Sequence, residues 1–81
     1  MHATTVAIDL AKDVFELAFG DAAQCIVERR RLSRGAFAHV LDNRAPLHVV
    51  MEACSSAHYW GRRFQRGGHR VDLLPAHDVR P

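Results

Sequence analysis

Val6-Ala7-Ile8-Asp9-Leu10-Ala11-Lys12-Asp13-Val14-Phe15-Glu16-Leu17, taken together with Val49-Val50-Met51-Glu52, is the part of the chain that decides the fold. The first stretch reads as two strands joined by a tight turn, with Asp9 ending the leading strand. The second is a short apolar run that stops abruptly in an acid. If the two runs lie side by side and parallel, Asp9 and Glu52 emerge at one edge of one sheet. Neighbouring strands are about 4.8 Å apart, close enough for two carboxylates to share a divalent cation.

Working outward, residues 4–9 form a β-branched strand and residues 10–13 a turn. Residues 14–19 alternate, with Phe15, Leu17 and Phe19 on one face and Glu16 on the other. Gly20-Asp21-Ala22 has the length of a hairpin turn. Residues 24–30 read as a third strand, Cys25 and Val27 on one face and Gln24, Ile26 and Glu28 on the other. Ser33 is placed to cap a helix whose Phe37, Val40 and Leu41 fall at i, i+3 and i+4. Residues 48–52 are nearly all apolar, as in a strand covered on both faces. Ser55 or Ser56 caps a second helix with Ala57, Trp60 and Phe64 on its inner side, and Gly67-Gly68 supplies a left-handed stop. Residues 71–74 make the last strand.

The element order is therefore β-β-β-α-β-α-β. A meander followed by two right-handed crossovers predicts an α/β fold with a mixed five-stranded sheet in the order 3-2-1-4-5. The 81 residues, 48% apolar and 25% charged, suit one small domain of ordinary soluble composition. Two distant cysteines make neither a CxxC pair nor a disulfide framework, so a reducing, cytoplasmic setting is expected. Nothing resembles a signal peptide or a membrane span of about 18 apolar residues.

Asp9 alone has an ordinary explanation, since an aspartate after a strand often bonds its own turn. Glu52, directly after Val-Val-Met, enters a region expected to be desolvated, where an unpaired carboxylate is costly. Its partner would be an arginine near the helix start or a metal ion. Two carboxylates at one edge repel unless a cation lies between them. Mg²⁺ suits such a pair, with Mn²⁺ as the alternative, because it takes oxygen ligands and leaves positions for water or phosphate. Two acids are too few to hold a metal pair firmly.

Net charge is +2, and Lys12 is the only lysine. Arg29, Arg30, Arg31 and Arg34 form the densest basic cluster, read either as a solvated face or as a track for phosphates; Lys12 beside Asp9 has the same two readings. Arg62, Arg63 and Arg66 are expected on the outer face of the second helix. Tyr59 and Trp60 read as core packing rather than a base-stacking platform, and Cys54 as a small buried residue. His48, His58 and His69 show no metal-binding spacing.

Ala7-Ile8-Asp9-Leu10-Ala11-Lys12-Asp13-Val14-Phe15 and Met51-Glu52-Ala53-Cys54-Ser55-Ser56-Ala57-His58-Tyr59-Trp60 together resemble the N-terminal catalytic domain of DEDD transposases. These are the RuvC-like recombinases of bridge-RNA-guided bacterial insertion sequences. Gly68-His69, Val71, Leu74-Pro75 and Val79-Arg80-Pro81 continue the likeness, which covers residues 1–81 as one RNase H-like domain. The resemblance implies that Asp9 and Glu52 are the first two acids of the DEDD set. The two remaining aspartates, and a later domain carrying a serine nucleophile, are expected beyond residue 81. Ser56 departs from the glycine common at that position.

The activity so implied is Mg²⁺-dependent cutting and rejoining of DNA strands, guided by an RNA and carried out by a homo-oligomer of the full-length protein. Residues 1–81 alone are expected to be inactive. Three rivals share features of this reading. A RuvC-type junction nuclease has the same fold and first acid. A non-catalytic RNA-binding or oligomerising module would depend on the arginines rather than on Asp9. An actin-like ATPase piece would want a Gly-Thr-rich phosphate turn that Leu10-Ala11-Lys12 does not supply.

Overall fold

Val6 and Ile8 are buried while Ala7 and Asp9 are exposed, and this alternation along Thr5–Leu10 makes the first strand, β1, one-sided. The computed structural model describes residues 3–10 and 14–75. Strand β2 (Val14–Gly20) runs antiparallel to β1, setting Val6 opposite Phe19 and Ile8 opposite Leu17. Strand β3 (Ile26–Ser33) continues the meander on the far side of β2. A one-turn helix α1 (Arg34–Phe37) leads toward β4 (His48–Glu52), which pairs in parallel with β1. Helix α2 (Ser55–Arg66) then crosses to β5 (Arg70–Leu74), parallel to β4. The sheet order is β3-β2-β1-β4-β5, an RNase H/RuvC-like topology and the order expected from right-handed crossovers.

One face of this sheet carries the core. Val6, Ile8, Phe15, Leu17, Phe19, Val49 and Met51 are buried there beneath Phe37, Leu41, Trp60 and Phe64. Phe37 is the keystone, its ring centroid 4.3 Å from Phe15 and 4.7 Å from Trp60, both edge-on. That arrangement sets positive ring edges against negative ring faces. Trp60 is thus core packing, as expected, whereas Tyr59 beside it is exposed.

The opposite face is a different matter. Ala7, Asp9, Glu16 and Glu52 are exposed and Val50 is only partly buried, so no described element covers that side. The expectation that β4 is sheathed on both faces is corrected: its apolar run is buried only through Val49 and Met51.

The third strand begins at Ile26, not residue 24, because the Asp21 carboxylate accepts the N–H groups of Ala23 (2.9 Å) and Cys25 (3.0 Å). Gln24 takes a left-handed φ of 63° within that turn, and Cys25 is exposed in it rather than part of the strand. Ile26 and Val27 are both exposed, since β3 is an edge strand.

The first helix is capped by Ser33, whose Oγ accepts the Ala36 N–H at 3.4 Å, but it lasts only four residues. The Ala38 carbonyl, which a continuing helix would give to the Asp42 N–H, accepts instead from Arg63 Nε (3.1 Å) and Nη2 (2.9 Å). The Asp42 N–H turns to His39 O, and Asn43 closes the segment at φ 63°. Phe37 and Leu41 stay buried, so the apolar stripe survives without the helix. Arg63 accordingly fastens α2 to this segment rather than lying on an outer face.

At α2 the N-cap is Cys54, exposed and making no side-chain cap, while Ser55 is already helical. The helix ends in a Schellman arrangement, Gly68 at φ 95° and the His69 N–H donating to Phe64 O at 3.0 Å. His69 then turns inward. Its Nδ1 accepts the Leu47 N–H at 3.0 Å and its Nε2–H donates to Leu41 O at 3.3 Å, tying three segments together. No helix among the described residues is long and apolar enough to cross a membrane.

Candidate functional site

Parallel pairing of β1 with β4 sets Ile8 opposite Met51, and the next residue on each strand is an acid, Asp9 on one and Glu52 on the other. Both strands run the same way, so both carboxylates lie at the C-terminal end of the sheet. Because side chains alternate, each points away from the helices, opposite in sense to buried Ile8 and Met51. Asp9 and Glu52 line one cavity of about 500 Å³ on the uncovered face, with Ala7, Ala18 and Val50 among its walls.

Neither acid has a hydrogen-bond or ion-pair partner among the described residues. The arginine partner considered for Glu52 is therefore not found there. Nor is Glu52 desolvated: it is exposed, because the face it stands on is uncovered. Lys12 and the turn after Asp9 lie outside the described residues.

Glu16 joins this neighbourhood without having been assigned to it by the sequence reading. It is directly opposite Asp9 across β1 and β2, and Arg31 is directly opposite Glu16 across β2 and β3. The three side chains form a row, with Arg31 Nε 3.8 Å from Glu16 Oε2. The period-2 pattern had placed Glu16 on the polar face; only the hairpin register puts it beside Asp9. Even so, no three His, Cys, Asp or Glu side chains among the described residues are grouped to hold a metal ion. Asp9 and Glu52 remain two exposed acids at the ends of adjacent parallel strands.

The basic cluster is divided by the same alternation. Arg29 pairs in register with Ala18 and Arg31 with Glu16, placing both on the face that carries Asp9 and Glu52. Arg30 pairs with Leu17, whose side chain is in the core; Arg30 Nε is 3.9 Å from Glu28 Oε2, although Arg30 also contributes to the cavity wall. The Arg34 guanidinium lies over the Phe15 ring, 5.6 Å from its centroid. At the far end of β4, His48 Nε2 meets Asp72 Oδ2 at 2.5 Å, with Arg70 Nη2 3.6 Å from the same carboxylate oxygen.

The chain is homologous to several insertion-sequence transposases. It is 38% identical over 81 residues to "Probable family 20 transposase" of Pseudomonas aeruginosa, covering all of this chain and 24% of that protein. It is 32% identical over 80 residues to the transposase for insertion sequence element IS1328 of Yersinia enterocolitica, covering 99% of this chain and 24% of the relative. With the transposase for insertion sequence element IS1111A of Coxiella burnetii it shares 34% over 74 residues, 91% of this chain and 20% of the relative. The chain thus spans between a fifth and a quarter of the length of the curated relatives it matches. No family model matches it. No solved structure matches it.

Proposed function

We propose that this chain forms part of the catalytic domain of a DEDD-type transposase that cuts and rejoins DNA strands with Mg²⁺ or Mn²⁺, guided by an RNA. The observation that carries this reading is the pairing of Ile8 with Met51, which brings the acids that follow them to one end of adjacent parallel strands. The homology to transposases supports the same conclusion from outside the chain. In this reading the whole protein works in the cytoplasm on DNA, as a homo-oligomer.

The donor set suits the ion. Mg²⁺ is commonly held by one or two carboxylates, its other positions going to water and substrate phosphate. Asp9 and Glu52 are the residues that would hold it, and when bound it would polarise the scissile phosphate and stabilise charge on the leaving oxygen. The protein's own share is positioning. Rigid pairing of β1 with β4 sets the spacing of the two acids, and nearby guanidinium groups orient a phosphate backbone.

Mn²⁺ titration of the chain, followed by electron paramagnetic resonance, tests the site. Weak binding is expected, abolished by Asp9→Ala and by Glu52→Ala. Unchanged affinity in both variants would remove the shared-carboxylate reading.

A further inference from the structure

We propose that Arg29 and Arg31, and not Arg30 or Arg34, hold the phosphodiester backbone of a DNA strand laid along β3 on the uncovered sheet face. The proposal rests on the nucleic-acid reading above and names which cations of the basic run carry it out. In sequence the arginines at 29, 30 and 31 are equivalent. In the sheet they are not, because side chains on a strand alternate between faces.

Register with β2 sends Arg29 and Arg31 to the side of Asp9 and Glu52; Arg30 borders the same cavity but is in register with core-facing Leu17. Two residues along a strand span about 6.8 Å, so the two guanidinium groups can hold separate phosphates. Strand β3 lies two strand spacings from β1, roughly 9.6 Å. A backbone held on β3 therefore runs beside the acids without being pressed against them.

Arg31 has the Glu16 carboxylate 3.8 Å away, an exposed and weakly held pair that a phosphate can displace. Across the sheet Arg29 is in register with Ala18, Ala7 and Val50, whereas the row from Arg31 runs through Glu16 to Asp9. Arg30 belongs to the other side through Leu17 and approaches Glu28. Arg34 is committed to the Phe15 ring. Arginine suits this role because its planar fork matches phosphate oxygens.

The comparison that decides the matter uses three variants of equal charge on one strand: Arg29→Gln, Arg30→Gln and Arg31→Gln. Binding of a fluorescein-labelled 20-base-pair DNA duplex and of a labelled RNA stem-loop is read by anisotropy, in EDTA, across a series of salt concentrations. Each of R29Q and R31Q is expected to weaken binding severalfold and to lower the salt slope by about one, while R30Q changes affinity less than twofold. Tighter binding of the duplex than of the stem-loop is expected; loss on R29Q and R31Q confined to the stem-loop would overturn the assignment to DNA. Equal losses in all three variants, or no measurable binding by the unaltered chain, would overturn the proposal. Because chelator is present, these results are independent of the carboxylate pair, which the Mn²⁺ titration judges separately.

Discussion

Asp9 and Glu52 stand one position beyond the paired residues Ile8 and Met51, on neighbouring parallel strands and on the face that no described helix covers. Two like charges brought together by backbone pairing weaken the fold unless a cation separates them. If the pair holds a cation as proposed, metal binding is linked to stability.

A metal that binds the folded chain and not the unfolded one stabilises it by mass action. At a free Mn²⁺ concentration ten times its Kd, the chain should gain about 1.4 kcal/mol, read as a rise in urea midpoint. Asp9→Asn and Glu52→Gln should each erase that gain. A midpoint that rises equally in both variants would place the metal elsewhere.

His69 is expected to be a stability residue. Truncation to alanine strands the Leu47 N–H and the Leu41 carbonyl, both now satisfied by the ring, at a cost of roughly 2–5 kcal/mol. Against a total of about 5–15 kcal/mol for a small domain, that should bring the thermal midpoint down steeply. His69→Leu, which keeps volume but bonds neither group, should fail in the same way. A midpoint within a degree or two of the unaltered chain in either variant would show that the ring is dispensable.

Phe37 should be the most sensitive position outside the sheet. It is fully buried at the meeting point of Phe15, Trp60 and Phe64, so Phe37→Ala should cost about 3–5 kcal/mol. Phe37→Leu, which loses mainly the ring contacts, should cost about 1.5 kcal/mol. Urea unfolding followed by Trp60 fluorescence measures both.

The Asp21 turn offers changes of opposite sign. Asp21→Ala removes the acceptor for two backbone N–H groups and should destabilise by about 2 kcal/mol, while Asp21→Asn keeps one acceptor oxygen and should lose less. Gln24→Gly relieves a left-handed side-chain-bearing residue and should gain up to about 1 kcal/mol. A loss on Gln24→Gly would mean that unfolded-chain entropy outweighs the relief.

Much of this architecture was legible before any coordinates. Alternation in residues 14–19, the apolar run ending at Glu52 and the Gly67-Gly68 stop were enough to give the element order, and handed crossovers then led to the sheet order. The places where the reading failed share a cause. Strand β3 starts later than its pattern predicts, where the Asp21 carboxylate holds Cys25 in a turn, and α1 is shorter than its apolar stripe, where Arg63 takes the Ala38 carbonyl. Cys54, expected to be buried, sits at an exposed helix entry. In each instance a side chain competed for backbone groups, or a solvent boundary intervened, at a point where hydrophobic spacing carries no signal.

By itself the sequence determined the periodicities, and through them which residues could be strand, helix and core; it also placed the acids at positions 9 and 52 beside apolar runs. Tertiary structure alone decided which side of the sheet is covered, that Glu16 stands opposite Asp9, and that neighbouring arginines divide between two faces. The physical reason is register. A strand's pattern says which residues share a face, but pairing with another strand selects their neighbours, and a shift of one residue would exchange them all.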